Sequence, residues 1–360
     1  RQNAVLAQAA GLGFTPAYNA KVAGSVPLPF FTGNLAGAAL TSATVKNYLL
    51  QNQAGTAAQY IFQSGYVTNP NFSFFPNPNL LYASELTNLS NSSYHAAIIE
   101  ARHRTSSGLQ FQASYTFSKV LSDASVQRGL EALLDNNNPG AERARAPYDL
   151  THNFKVNHVI PLPFGKGQKF TGGRLSPIIG GWAFSGFVQV QSGPPVSILS
   201  ARGTLNRSAR SASNTVDTTA TLGTLQAATG VFRTGTDLYF INPANIDPVN
   251  HTGAAPDGNA PFAGQLFFNP QAGSIGSLQR RDLNGPWFAN YDTSLAKDTK
   301  IREKLSLQFR ADFFNVFNHP NFFVGDQNIN SSSFGKITSM FYAADGVGPR
   351  LLQFGLYLKF

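Results

Sequence analysis

The sequence predicts an all-β protein, an antiparallel up-and-down transmembrane β-barrel or the C-terminal part of one, with about seven strands and long external loops. Three observations predict it. Apolar and polar residues alternate strictly through several runs of about ten residues. Shorter and longer connections between those runs also alternate along the chain. Only 12% of the 360 residues are charged, against roughly 25% in a soluble domain, yet no stretch reaches the roughly 18 consecutive apolar residues of a membrane helix. The best candidate, Ile178 to Val190, is broken by Gly180, Gly181, Ser185, Gly186 and Gln189. That excludes helical membrane proteins and leaves β-barrels open.

Arg1 to Ser92 holds no strongly alternating run and is expected to form an external loop region, with residues 93–360 supplying the barrel strands and their loops. Within it, Thr41 to Gln51 is expected to be helical behind a Thr/Ser cap. The opening RQNAVLAQAAGLG lacks a basic-then-apolar leader, so a start at Arg1 is expected of a processed chain or a fragment.

The first strand is Tyr94 to Arg104, with Ala97, Ile99 and Ala101 opposite Glu100, Arg102 and Arg104. Leu109 to Lys119 sets Leu109, Phe111, Ala113, Tyr115 and Phe117 against Gln110, Gln112, Ser114, Thr116 and Ser118. A second short helix is expected at Ser125 to Leu134. Asn153 to Leu162, Trp182 to Ser192 and Phe288 to Lys297 alternate more weakly. Lys304 to Val316 opposes Leu305, Leu307, Phe309, Ala311 and Phe313 to Ser306, Gln308, Arg310 and Asp312. The last ten residues place Leu352, Phe354, Leu356, Leu358 and Phe360 on one face.

About eleven residues at roughly 3.3 Å rise, tilted near 45°, cover roughly 25 Å, the height of an outer-membrane apolar band. The connections run short (105–108), long (120–152), intermediate (163–181), very long (193–287), short (298–303) and long (317–350). In an up-and-down sheet alternate connections share an end, so one end is trimmed and the other overgrown, as in barrels with short periplasmic turns and long external loops. The opposite faces carry polar groups suited to a lumen, with Gln110, Gln112, Gln189, Gln191, Arg310 and Asp312 as candidate lumen-facing residues. Tyr94, Phe117, Trp182, Phe288, Phe314 and Phe360 sit near strand ends, where interfacial aromatic girdles form.

No catalytic, cofactor-binding or metal-binding residue is assigned. The absence of Cys removes disulfides, thiolate zinc sites and thiol nucleophiles. The six His have no metal-helix spacing, and no G-x-S-x-G elbow exists. Phe164-Gly165-Lys166-Gly167 resembles a phosphate loop but lacks its spacing, and is expected to be a turn at the short-loop end. Asp135 with Asn136 to Asn138 offers oxygen ligands of the kind calcium takes, but reads better as a solvated turn. The net charge of +9 is spread over strands and loops without an aromatic–basic motif, which argues against nucleic acid and suits anionic lipopolysaccharide.

The run Asn284 to Phe322, NGPWFANYDTSLAKDTKIREKLSLQFRADFFNVFNHPNF, resembles the C-terminal barrel signature of TonB-dependent outer-membrane receptors, of the Oar-like or carboxypeptidase-regulatory-like type of acidobacteria. The likeness extends to Tyr94–Lys119 with Leu121-Ser122-Asp123, to Tyr148–Phe154, to Leu162–Gly167, to Gly181-Trp182 through Gln191–Pro195, and to Pro349–Phe360. The resemblance implies location in the bacterial outer membrane, a barrel of about 22 strands, and an N-terminal plug and TonB box that this sequence lacks. About seven strands match only the last third of such a receptor, whose two open edges would be costly in lipid.

The resemblance also implies ligand capture by external loops, energy-coupled import and no enzymatic activity. Partners would be TonB, reached only through the absent plug, the bilayer with its lipopolysaccharide, and an unknown extracellular ligand. The alternating Phe354, Leu356, Leu358 and Phe360 look like the signal read by the barrel assembly machinery through strand addition. Two other readings stay open. One is a secreted or surface adhesin in which the apolar faces meet as a sandwich core; the other is a passive porin-like channel.

Overall fold

The computed structural model describes every residue except 81, 82, 84, 86, 87, 124–132, 207–212, 304 and 341–347. In chain order its strands are β1 (Ser92–Arg104), β2 (Gln110–Ser122), β3 (Ala144–Arg145), β4 (His152–Pro161), β5 (Trp182–Gln191), β6 (Pro195–Val196), β7 (Thr229–Thr234), β8 (Asp237–Ile241), β9 (Leu283–Asn284), β10 (Phe288–Arg302), β11 (Leu305–Phe314), β12 (Lys336–Ile337) and β13 (Leu351–Lys359). All seven expected strands are present. They form one antiparallel sheet in the order β1-β2-β4-β5-β10-β11-β13, with β3 added beside the end of β2. Each long strand pairs with the next along the chain, the up-and-down order. Among the described residues β1 and β13 do not pair with each other, so the sheet is open.

The register joins the seven alternating patterns into one surface. Ile99 lies beside Tyr115, Tyr115 beside Phe154, Phe154 beside Val190, and Val188 beside Tyr291. Leu295 continues the row to Ala311, and Ala311 to Phe354. A slip of one residue at any pairing would have thrown that strand's apolar set onto the other face. No second layer covers this face among the described residues, and Phe111, Phe117, Phe154, Phe354, Leu356 and Leu358 are exposed. Exposed apolar area on this scale marks a surface made for another apolar medium.

The ends of the sheet differ as the connection lengths foretell. The β1–β2, β4–β5 and β10–β11 connections lie at one end; the β2–β4, β5–β10 and β11–β13 connections lie at the other. At the trimmed end the β1–β2 turn closes when the Thr105 N–H donates to the Leu109 carbonyl, and Gly108 takes φ +88°, a region costly for residues with a Cβ. Phe164 to Gly167 is a turn at this same end, with positive φ at Gly165 and Gly167.

The hydrophobic core sits in the overgrown end, away from the sheet's apolar face. Val196, Ile198, Val216, Leu225, Phe240, Ile241, Phe267, Leu283, Ile329 and Phe334 form one buried cluster, drawn from the β5–β10 and β11–β13 connections. The short helix Leu222–Ala227 and the small β12-β8-β7 sheet frame it. A buried ion pair ties the 123–151 connection to this unit. Arg280 Nη1 lies 3.0 Å from Glu142 Oε2, and Glu142 also accepts the Leu134 N–H. Arg145 Nε lies 2.9 Å from Asp149, whose other oxygen accepts the Val120 N–H. Asp135 accepts the Asn137 N–H in a local turn.

The N-terminal segment also stands at the overgrown end, where β1 begins. It is helical: α1 (Gln2–Ala9), α2 (Pro29–Asn34), α3 (Ala38–Thr41), α4 (Ala43–Leu50) and α5 (Ala54–Gln63) precede the sheet. The helix expected over Thr41 to Gln51 is α4, entered through Ser42, whose hydroxyl accepts the Val45 N–H. Leu35, Ala39, Val45 and Ile61 make a second small core. Polar bonds join this unit to the loops: Asn52 Nδ2 donates to the Pro270 carbonyl and the Gly203 N–H donates to Gln53 Oε1. The helix expected at Ser125 to Leu134 lies outside the described residues for positions 125–132, and Leu134 is not helical.

Candidate functional site

The face opposite the apolar one carries the chemistry. All six residues expected to face the lumen share it, since Gln112 pairs with Asn157, Asn157 with Phe187, Asp292 with Phe187, and Asp312 with Ser294. A cavity of about 710 Å³ opens on this face, with Arg102, Arg104, Gln110, Gln112, Arg310 and Asp312 in its lining. Its walls come from six strands, β1 to β11, so the sheet bends around it. Gln189 and Gln191 lie higher, toward the overgrown end, and bond to each other at 2.8 Å.

Several of its charges are paired with one another. Glu100 accepts from Arg102 Nε at 2.6 Å and from Gln112 Nε2 at 2.5 Å. Arg310 Nε lies 2.7 Å from Asp312 Oδ1. Asp298 accepts from Gln308 Nε2 at 3.2 Å and faces Lys359 at 3.7 Å. Two acceptors remain open: Asn153 Oδ1 and Asn290 Oδ1 are buried without a hydrogen-bond partner. They flank the glutamine pair, Asn153 beside Gln191 and Asn290 beside Gln189. A buried acceptor left unpaired costs on the order of 1–3 kcal/mol. Parity could have marked both Asn as lumen-facing, and likewise Arg102 and Arg104.

The apolar face has its own polar fittings. At the overgrown rim His152 stacks on Trp287, centroids 5.9 Å apart, and meets Phe117 at a tilt, centroids 5.4 Å apart. At mid-sheet His158 Nε2 meets Tyr291 Oη at 3.0 Å, in space left by Gly186, where a Cβ would lie 2.8 Å from both side chains. At the trimmed rim Lys297 Nζ lies over Trp182 and donates to the carbonyls of Pro177 and Gly180. The aromatic girdle divides. Phe117 and Trp182 take the apolar face and Phe360 is almost fully exposed, whereas Tyr94, Phe288 and Phe314 lie on the polar register beside Val120, Gln191 and Leu351. Phe354, Leu356 and Leu358 form an exposed row along the outer strand.

No group of three His, Asp or Glu suited to a metal ion occurs among the described residues. No helix of the described structure is long and apolar enough to cross a membrane. A family model for the outer membrane beta barrel domain matches residues 18–353. No curated protein and no solved structure matches the chain.

Proposed function

Since the chain belongs to the outer membrane beta barrel domain family, and is therefore a bacterial outer-membrane protein, we propose that it is the C-terminal barrel portion of a TonB-dependent receptor of the Oar-like type. The observation that carries the reading is the polar face: beside a cavity of about 710 Å³, Glu100, Arg102 and Gln112 bond to one another, as do Arg310 and Asp312. A plug packed in the lumen meets such a surface with its own backbone hydrogen-bonding groups. The residues quoted for the resemblance, from Tyr94 to Phe360, support the same assignment.

In this reading Arg1 to Ser92 and the long connections form the external surface that captures a ligand, and the lumen conducts it. The chain performs no catalysis and uses no cofactor. TonB acts through a plug, the bilayer and lipopolysaccharide surround the strands, and nucleic acid is no partner. Phe354, Leu356, Leu358 and Phe360 address the barrel to its assembly machinery by strand addition.

Planar-bilayer recording of the native protein from outer membranes tests the reading. A plugged receptor carries no steady current, and mild urea, which loosens a plug, opens one. Stepwise conductance without urea would refute it in favour of a passive porin-like channel. The adhesin alternative requires a covered apolar face, which the described residues do not provide.

A further inference from the structure

The 162–181 connection is longer than a strand reversal needs, and it is folded tightly against the sheet. The Leu162 N–H donates to the Trp182 carbonyl and the Asp298 N–H to the Gly181 carbonyl. A Cβ on Gly181 would lie 2.3 Å from the Asp298 carbonyl oxygen, and one on Gly165 2.6 Å from Gly180 Cα. Lys297 and Trp182, both on the apolar face, clamp the segment: the ammonium holds the Pro177 and Gly180 carbonyls, and the indole N–H donates to Ile178. The excursion is thereby anchored at the rim where the apolar face ends.

Its exposed surface has two parts. Leu175, Ile178 and Phe170 are exposed apolar groups. Beside them a depression of about 650 Å³ is lined by Lys166, Arg174 and Lys300, with Thr171, Ser176 and Thr299. None of the three cations takes part in an ion pair among the described residues. Lys169 adds a fourth positive charge, 5.7 Å above the Phe170 ring. The acidic group in the wall, Asp298, is already faced by Lys359 and bonded by Gln308; Glu303 follows on the next turn.

We propose that this depression binds the phosphate of an anionic phospholipid in the periplasmic leaflet, with Leu175, Ile178 and Phe170 reaching into the adjoining acyl region. Unpaired cations and hydroxyls supply the phosphate contacts, and continuity with the apolar face selects a lipid over a soluble anion. Each basic residue at a membrane surface favours anionic lipid, and short turns face the periplasm in barrels of this kind. The proposal rests on the membrane placement of the sheet, not on the TonB-dependent role.

The two tryptophans stand at opposite rims, which gives a direct test. The full chain carrying Trp287→Phe is reconstituted in phosphatidylcholine vesicles with 20 mol % phosphatidylglycerol, with bromine on the acyl chains of one lipid or the other. Per mole of brominated lipid, the phosphatidylglycerol should quench Trp182 about two-fold more strongly than the phosphatidylcholine. Lys166→Gln with Arg174→Gln and Lys300→Gln should abolish the preference, and Trp287, read in a Trp182→Phe chain, should show none. Equal quenching of Trp182 by both lipids overturns the headgroup site while leaving the membrane placement intact. No quenching by either overturns both, and loss of the preference in 50 mM inorganic phosphate at constant ionic strength overturns it in favour of a soluble-anion site.

Discussion

Ile98 and Ile99 are neighbours on β1 with nearly equal exposure, 67% and 69%, yet the pleat sends them to opposite faces. Ile99 stands beside Tyr115 on the apolar face and Ile98 beside Thr116 on the polar one. In water, Ile→Arg at either position should change stability by no more than about 0.5 kcal/mol, as at other exposed sites. In a bilayer the two diverge. Arg on the lipid face near the midplane costs about 2–4 kcal/mol, a loss of roughly 30- to 700-fold in the folding equilibrium, whereas Ile98→Arg meets a wet, polar face. Refolding from urea into short-chain phosphatidylcholine vesicles, followed by tryptophan fluorescence and the mobility of unheated samples in SDS gels, measures the difference. Equal midpoints for Ile98→Arg and Ile99→Arg would refute the assignment of the apolar face to lipid.

Other consequences follow from particular contacts. Gly186→Val drives a branched side chain into His158 and Tyr291, where even a Cβ would stand 2.8 Å away, and should cost about 1–3 kcal/mol in the same refolding assay. Arg280→Ala strands the buried Glu142 carboxylate and should cost about 3–5 kcal/mol, seen as faster amide exchange in the loop core while the sheet stays protected. Burial raises the carboxyl pKa of Asp282 despite the nearby Arg145 and Lys119. Its charged form is therefore disfavoured in the fold, and its contribution to stability falls as pH rises from the unfolded carboxylate range through the raised value. Asp282→Asn should then stabilise the protein at pH 7, with the gain vanishing on acidification; a gain that persists below the carboxylate range would contradict this. Asp247, held by the Asn250 side chain and the Val249 and Asn250 N–H groups, has a lowered pKa, so Asp247→Ala should destabilise most above the ordinary carboxylate range, the loss shrinking as pH falls from that range through the lowered value.

The seven long strands were legible because each obeys a period of two, a local pattern that needs no knowledge of the partner. The parity that located Gln112 and Arg310 also places Tyr94 and Phe288 on the polar side, so the girdle was overdrawn from position along the strand alone. The loop core was not legible. Ile198, Val216, Phe267 and Phe334 come from irregular backbone with no repeating interval, and they meet only through the three-dimensional path of two long connections. The unpaired acceptors at Asn153 and Asn290 were equally hidden, because an asparagine in sequence does not disclose what its carbonyl lacks. Basic residues of the 162–181 connection were visible, but their grouping depends on Lys297 reaching back from another strand.

The buried cluster of the long connections draws nothing from the lipid-facing surface of the sheet, and the two halves answer to different solvents. One is held together because water rejects its side chains; the other stays intact because hydrocarbon accepts them. Warming in gentle detergent should dissolve the first assembly while the ladder beneath it persists, so a single melting temperature would average two separate events.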